Sequence, residues 1–162
     1  SRVFGAFMIA AVVEAPHEYT GPGPSVFLAG GISGTADWQT QIIGQLADVP
    51  VTLLNPRRAN YPWHDPSAAA AQIEWEFRHL HRAKAGLFWF PPETLCPIAL
   101  FELGGRVQVR GQALFVGTDP DYARKLDVEI QLRLARPEVQ VATSVWNLAD
   151  QVRAWFAARP PA

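Results

Sequence analysis

The stretch Gly86-Leu87-Phe88-Trp89-Phe90, followed by Pro91-Pro92-Glu93-Thr94-Leu95-Cys96-Pro97-Ile98-Ala99-Leu100-Phe101-Glu102-Leu103-Gly104-Gly105, decides how this chain folds. The first five residues are apolar and uncharged, the pattern of a strand buried on both faces. Prolines then turn the chain, and the residues from about Ile98 to Gln108 read as a helix. In an open α/β sheet, the crevice between a strand's carboxyl end and the next helix is where ligands bind. Glu102 falls about one turn inside that helix, in otherwise apolar surroundings. Two readings follow for it: a charge partner for the helix N-terminus, or a reactive carboxylate aimed into a cleft.

The same alternation extends in both directions. Val3 to Val13 reads as a first strand. The run follows Arg2, but it is too short to span a bilayer and lacks a small-x-small cleavage site. A strand therefore fits it better than a signal peptide. Pro16 to Pro24 holds three prolines and two glycines and reads as a loop. Ser25 to Ala29 is a second strand, ending in Gly30-Gly31-Ile32-Ser33-Gly34. Asp37 to Leu46 reads as a helix, with Trp38, Ile42, Ile43 and Leu46 at helical spacing. Val51 to Leu54 is a strand closed by Asn55-Pro56-Arg57-Arg58, and Asn60 to Ser67 is a polar and aromatic loop.

From about Ala68 to Lys84 the spacing predicts a helix with an apolar stripe of Ile73, Phe77, Leu80 and Ala83, bordered by Glu76. Glu74 and Arg78 make a solvated i,i+4 pair. Ala113 to Gly117 reads as a strand. Asp119 to Leu134 reads as a helix with Tyr122, Leu126, Ile130 and Leu134 in register. Val139 to Ala142 reads as a final strand, and Ser144 as the N-cap of a last helix. Strands alternating with helices predict an α/β fold whose mostly parallel sheet carries helices on both faces. No internal repeat or linker divides residues 1–162, which read as a single domain.

The composition narrows the function. Of 162 residues, 49% are hydrophobic and 18% charged, with net charge −1. Acids and bases are interspersed, so neither a nucleic-acid nor a membrane surface is indicated. Cys96 is the single cysteine, which excludes an intrachain disulfide and fits a cytoplasmic setting. His79 and His81 are two apart on a helix and point to different faces, so they make a poor metal pair, and with His64 they read as surface or loop residues. No Cys/His spacing suggests zinc, and no cofactor is implied.

On the sheet's carboxyl rim, Gly30 to Gly34, Asn55 to Arg58 and Glu93 to Glu102 would share one crevice. The glycine turn lets backbone N–H groups approach a ligand, or is simply a tight strand-to-helix turn. Arg57 and Arg58 either grip a phosphate or carboxylate, or serve the structure, one neutralising the site's own acids and the other solvated. Trp63, in a polar loop, is placed to stack on a flat ligand such as a nucleobase. Glu76 and Glu102 are the acids expected to be partly buried. Two carboxylates in one cleft suit cleavage of a glycosidic bond with retention; the alternative is a surface pair with no contact.

Five blocks in order resemble the short-chain branch of the nucleoside 2-deoxyribosyltransferase family: Val26-Phe27-Leu28-Ala29-Gly30-Gly31-Ile32, Asp37-Trp38-Gln39, Leu54-Asn55-Pro56-Arg57-Arg58, Gln72-Ile73-Glu74-Trp75-Glu76, and Pro97-Ile98-Ala99-Leu100-Phe101-Glu102-Leu103-Gly104. The resemblance runs from about Ser25 to Gly117. It implies a flavodoxin-like (Rossmann-like) five-stranded sheet and transfer of 2-deoxyribose between nucleobases. Glu102 matches the family nucleophile, which holds the sugar as a glycosyl ester, and Glu76 an acid that orients nucleophile and sugar. Gly30, Gly31 and Ile32 would line the sugar pocket and Asn55 its rim, with Arg57, Trp63, Cys96 and Pro97 as further substrate-binding candidates. The family habit implies a homodimer or larger homo-oligomer that can complete its site from a neighbouring chain.

The chain departs from the pattern in places. Phe27 stands where the family has a tyrosine, Glu76 where classical members usually have an aspartate, and Cys96 where they have an aspartate that handles the proton of the base, a role for which Glu93 is the alternative. Two other functions stay open: a nucleoside or nucleotide N-glycosidase using the same carboxylates, and a non-catalytic nucleotide-binding module.

Overall fold

The computed structural model describes residues 9–159. Ten elements follow in order: β1 (Ala11–Glu14), β2 (Ser25–Gly30), α1 (Trp38–Gln45), β3 (Thr52–Asn55), α2 (Ala68–Arg82), β4 (Ala85–Phe90), α3 (Pro97–Arg106), β5 (Ala113–Thr118), α4 (Lys125–Ala135) and α5 (Val145–Ala157). The five strands form one sheet in the order β1-β3-β2-β4-β5. Every pairing is parallel. This is an α/β fold of the flavodoxin-like kind, and β3, β2 and β4 are its central strands, as their apolar, β-branched and aromatic content predicts.

Side-chain alternation divides the core in two. Phe27, Ala29, Phe88 and Phe90 enter one apolar cluster with Trp75 and Leu80 of α2, Ala99 and Leu103 of α3, and Val128 and Leu132 of α4. Val26, Leu28, Leu87 and Trp89 enter the other, with Trp38 and Ile42 of α1 and Leu148 and Val152 of α5. Every residue of β4 is buried. Register sets Leu28 beside Leu87 and Leu87 beside Phe115, so the middle of the sheet is sealed across three strands.

Helix ends follow local chemistry. Asp37 caps α1 by accepting a hydrogen bond from the Thr40 backbone N–H at 3.0 Å, and Ser144 caps α5 by accepting from Asn147 at 3.1 Å. The loop from Ala15 to Pro24 crosses from β1 to β2 without a helix, and α2 holds it down. The Trp75 indole N–H donates to the His17 carbonyl at 2.8 Å, and the Tyr19 backbone N–H donates to His79 Nε2 at 3.0 Å.

Several expectations are corrected. Within the described residues the first strand begins only at Ala11; the expected strand residues Val3 to Met8 lie outside them. Val139 to Ala142 forms no ladder, only a parallel bridge between Gly117 and Ala142. Helix α4 starts at Lys125 rather than Asp119, and its buried face is Val128 and Leu132, while Leu126 and Leu134 are exposed. In α2 the buried face is Trp75, His79 and Leu80, and Ile73 and Phe77 are exposed. His79 is fully buried rather than on the surface, its Nδ1–H donating to the Trp75 carbonyl at 2.7 Å. Burial holds its pKa below the ordinary value, consistent with a neutral ring whose Nε2 accepts from Tyr19. The Glu74–Arg78 pair is as expected, at 3.9 Å and exposed.

Candidate active site

The carboxyl ends of β2 and β4 meet in a tight crossing. Gly30 has φ +146°, and a Cβ built there would stand 2.2 Å from the Trp89 carbonyl oxygen. Only glycine suits that backbone and that approach. A Cβ on Gly31 would meet Thr35, Pro91 and the Cys96 sulfur at 2.8 to 3.0 Å. The glycine turn and the proline turn are thus pressed together, which brings the start of α3 beside the end of β2. Cys96, at the N-cap of α3, takes the left-handed conformation with φ 50°.

Below this crossing, α2 and α3 enclose a cleft of about 890 Å³ with a mainly apolar wall. Gly30, Gly31, Ile32, Thr94, Cys96 and Pro97 line its upper end. Ile73, Glu76, Phe77, Leu80 and His81 of α2 and Ile98, Phe101, Glu102, Gly104, Gly105 and Arg106 of α3 line the rest of it. Glu76 and Glu102 are the acids in the wall. Neither stripe residue Ile73 nor Phe77 supports the core; their side chains line the cleft instead.

The two carboxylates differ in their surroundings. Burial, and then the neighbouring charge of Glu76, raises the Glu102 pKa from 4.5 to about 7. Burial also raises the pKa of Glu76, opposed by a hydrogen bond from the Gln72 side-chain amide at 3.1 Å. The same Gln72 nitrogen donates to the Pro56 carbonyl at 2.8 Å. Glu76 is therefore tied to the Pro56 backbone through Gln72, while Glu102 has no such support among the described residues. Burial pushes the Cys96 thiol up from its ordinary value, leaving it protonated at neutral pH and poorly suited as a nucleophile.

Seven of the residues singled out in the sequence converge on this cleft: Gly30, Gly31, Ile32, Glu76, Cys96, Pro97 and Glu102. Asn55, Arg57, Trp63 and Glu93 do not line it. Asn55 is buried, and its side-chain oxygen accepts from the Arg57 backbone N–H at 3.0 Å. Arg57 donates to Gln39 Oε1 at 2.8 Å, Thr35 Oγ1 at 2.9 Å and the Ala36 carbonyl at 3.1 Å, and sits 3.4 Å from Asp37. It ties down the loop after β2, so its partner is Asp37 rather than the cleft acids. Trp63 is 79% exposed and leans on Tyr61, with ring centroids 4.7 Å apart. Glu93 accepts from the Ala36 N–H at 3.4 Å and likewise lies outside the wall.

Gln72, His81 and Arg106 were not singled out as site residues. Helical spacing carries a signal for two of them: Gln72 is four residues before Glu76, and Arg106 four after Glu102, so each shares a face with an acid. Among the described residues no group of three His, Cys, Asp or Glu side chains is placed to hold a metal ion, and no helix is long and apolar enough to cross a membrane.

Comparison with known proteins bears on this arrangement. A search of curated proteins finds no match. The profile of the family described as "Nucleoside 2-deoxyribosyltransferase like" matches residues 23–122, which span β2 through β5 and every residue of the cleft wall. The chain belongs to the nucleoside 2-deoxyribosyltransferase-like family.

Proposed function

We propose that this protein transfers 2-deoxyribose between nucleobases through a glycosyl ester on Glu102. The observation that carries the reading is the presence of Glu76 and Glu102 in one cleft wall, beside the glycine turn at the sheet's carboxyl rim. In the first step a Glu102 carboxylate oxygen bonds to C1′ while the C1′–N bond breaks. The electron pair leaves with the base, which takes up a proton from the Glu76 carboxyl. In the second step a nitrogen of another base bonds to C1′, the ester C1′–O bond breaks, and that base gives its proton back to the Glu76 carboxylate. Two inversions give overall retention. A carboxylate made more basic by burial is also a stronger nucleophile. Glu76 orients Glu102 and the sugar and takes part in the proton traffic. The apolar cleft wall suits the faces of sugar and base.

A hydrolytic version is the second reading. Phe101 is 82% exposed and Ile98 65%, so the mouth of the cleft in one chain is open to water. Water in place of the second base would make the protein an N-glycosidase. The same apolar mouth supports a homodimer in which a second chain covers Ile73, Phe77, Ile98 and Phe101 and keeps water out. A reducing cytoplasm suits the single buried thiol.

Incubation with deoxyinosine, with and without free adenine, separates these readings by chromatography. Formation of deoxyadenosine supports transfer, hypoxanthine release without exchange supports hydrolysis, and no reaction with any 2-deoxynucleoside or its 5′-monophosphate removes both.

A further inference from the structure

The left-handed residue at the start of α3 is held from a distant loop. Cys96 has φ 50°, a conformation that a residue with a Cβ disfavours. Its side chain makes no capping hydrogen bond to α3. Its carbonyl accepts the helix's first bond, from the Leu100 N–H at 3.0 Å. Local support is thin: the Thr94 hydroxyl oxygen accepts from the Cys96 N–H at 3.3 Å and lies 3.2 Å from the Cys96 sulfur. A residue persists in such a conformation only where its surroundings over-determine it.

The missing support comes from a loop 27 residues further along the chain, where the Tyr122 hydroxyl donates to the Leu95 carbonyl at 2.8 Å. That carbonyl belongs to the peptide group joining Leu95 to Cys96. Among the described residues the hydroxyl makes no other hydrogen bond. The Tyr122 side chain is buried, its ring centroid 5.1 Å from that of Phe90. One side chain therefore packs on the last residue of β4 and bonds to the end of the proline turn that follows it. Its own loop is anchored at the same place. The Asp119 N–H donates to the Phe90 carbonyl at 2.9 Å, and the Tyr122 N–H to the Asp119 carbonyl at 3.0 Å. Burial pushes the Tyr122 pKa up to about 12, which keeps the hydroxyl a donor throughout the neutral range.

We infer that Tyr122 is a positioning residue for the cleft: its hydroxyl fixes the Leu95–Cys96 peptide, and with it the Thr94–Cys96 rim and the first turn of the helix that carries Glu102. Thr94, Cys96 and Glu102 line the cleft wall and Tyr122 does not, so Tyr122 acts only through that peptide. A phenylalanine ring would fill the same space, so packing alone does not require the hydroxyl. The hold on Cys96 rests on geometry; its effect on turnover rests on the glycosyl-transfer reading.

The test compares Tyr122→Phe, which keeps the ring against Phe90 and loses only the hydroxyl, with Val152→Ala. The latter removes two methyl groups from the buried face of α5, in the opposite layer of the core, and destabilises at least as much. Cys96 is the single cysteine, so a chromogenic aromatic disulfide at pH 8 reports on one site. Tyr122→Phe should react about 10-fold or more faster than Val152→Ala, the factor that one lost buried hydrogen bond corresponds to. Its kcat for base release should fall about 10-fold or more, as displaced site residues do. Val152→Ala should keep the wild-type kcat well below its melting temperature. Equal thiol rates in the two variants would overturn the hold on Cys96. A faster thiol with unchanged kcat would overturn the positioning role. A wild-type protein that releases base from no 2-deoxynucleoside or 5′-monophosphate would remove the transfer reading, and the thiol rates would still decide the hold.

Discussion

The side-chain amide of Gln72 donates to the Glu76 carboxylate at 3.1 Å from one helical turn earlier. The same nitrogen is anchored on the Pro56 carbonyl at 2.8 Å, and the Gln72 oxygen is buried without a partner among the described residues. An amide held this way fixes where Glu76 points and favours its charged form. Gln72→Leu removes both effects and leaves Glu76 facing burial alone. The Glu76 pKa, already raised, should rise further. We expect kcat/KM for base release to fall about 10-fold or more, toward the lower end of what a lost acid–base group costs. The acid limb of the pH profile should move to higher pH. A profile identical to wild type would show that Gln72 is only a helix-surface contact.

Glu102 gives a stability prediction with a definite sign. Its folded pKa is about 7, above the ordinary 4.5. The folded state therefore binds the proton more tightly than the unfolded one. Stability from this group is fully present below about pH 4.5 and is lost as pH rises through about 7. Glu102→Gln has no charge to bury, so it should melt higher than wild type at pH 8. The gap should narrow as pH falls toward 4.5. The shift corresponds to at most about 3–4 kcal/mol, a gain of several degrees for a chain of this size. Calorimetric melting at pH 5 and pH 8 checks this. Equal stability of the two proteins at pH 8 would contradict the raised pKa.

Arg57 should matter to the fold and not to phosphate. Its guanidinium ties together Gln39, Thr35, Ala36 and Asp37, and Gln39 is fully buried. Arg57→Ala should cost about 1–3 kcal/mol, chiefly because Gln39 Oε1 loses its donor. Any preference for nucleotides over nucleosides should survive. Denaturant unfolding and competition binding measure the two effects. A stable variant that has lost the nucleotide preference would reverse the assignment.

How much of this was legible in the sequence depends on what each signal measures. β2, β3 and β4 were legible because a strand buried on both faces must be apolar throughout. The pair Glu76 and Glu102 was legible because a charge in an apolar segment needs a reason. The phase of α2 was not. Ile73 and Phe77 are as apolar as core residues, but a cleft wall is apolar too, and periodicity cannot tell the two apart. His79 read as a surface residue because, beside the Trp75 carbonyl one turn back on α2, its burial depends on the Tyr19 N–H, which arrives from a loop 60 residues away. Arg57 was ambiguous for the same reason. Its partners come from the loop after β2 and the start of α1, and a sequence pattern does not show which segment an arginine will meet.

The apolar mouth of the cleft should pair chains. Ile73, Phe77, Ile98 and Phe101 are each more than 60% exposed. Four large side chains on two adjacent helices make a patch that water does not favour. Light scattering at micromolar concentration should give a dimer mass or larger for wild type. Phe101→Asp should give the monomer mass with an unchanged far-ultraviolet circular dichroism spectrum. A wild-type monomer would contradict this, and would leave the cleft open to water as hydrolysis requires.

The central claim is that Glu102 carries the sugar. Its direct test is mass spectrometry of protein incubated with a 2-fluoro-2-deoxyarabinosyl nucleoside, whose electron-poor sugar slows breakdown of the ester. The account predicts one added fluorosugar per chain, on the peptide containing Glu102 and absent from Glu102→Gln. A label on another residue, or Glu102→Gln protein that still releases base at the wild-type rate, would contradict it.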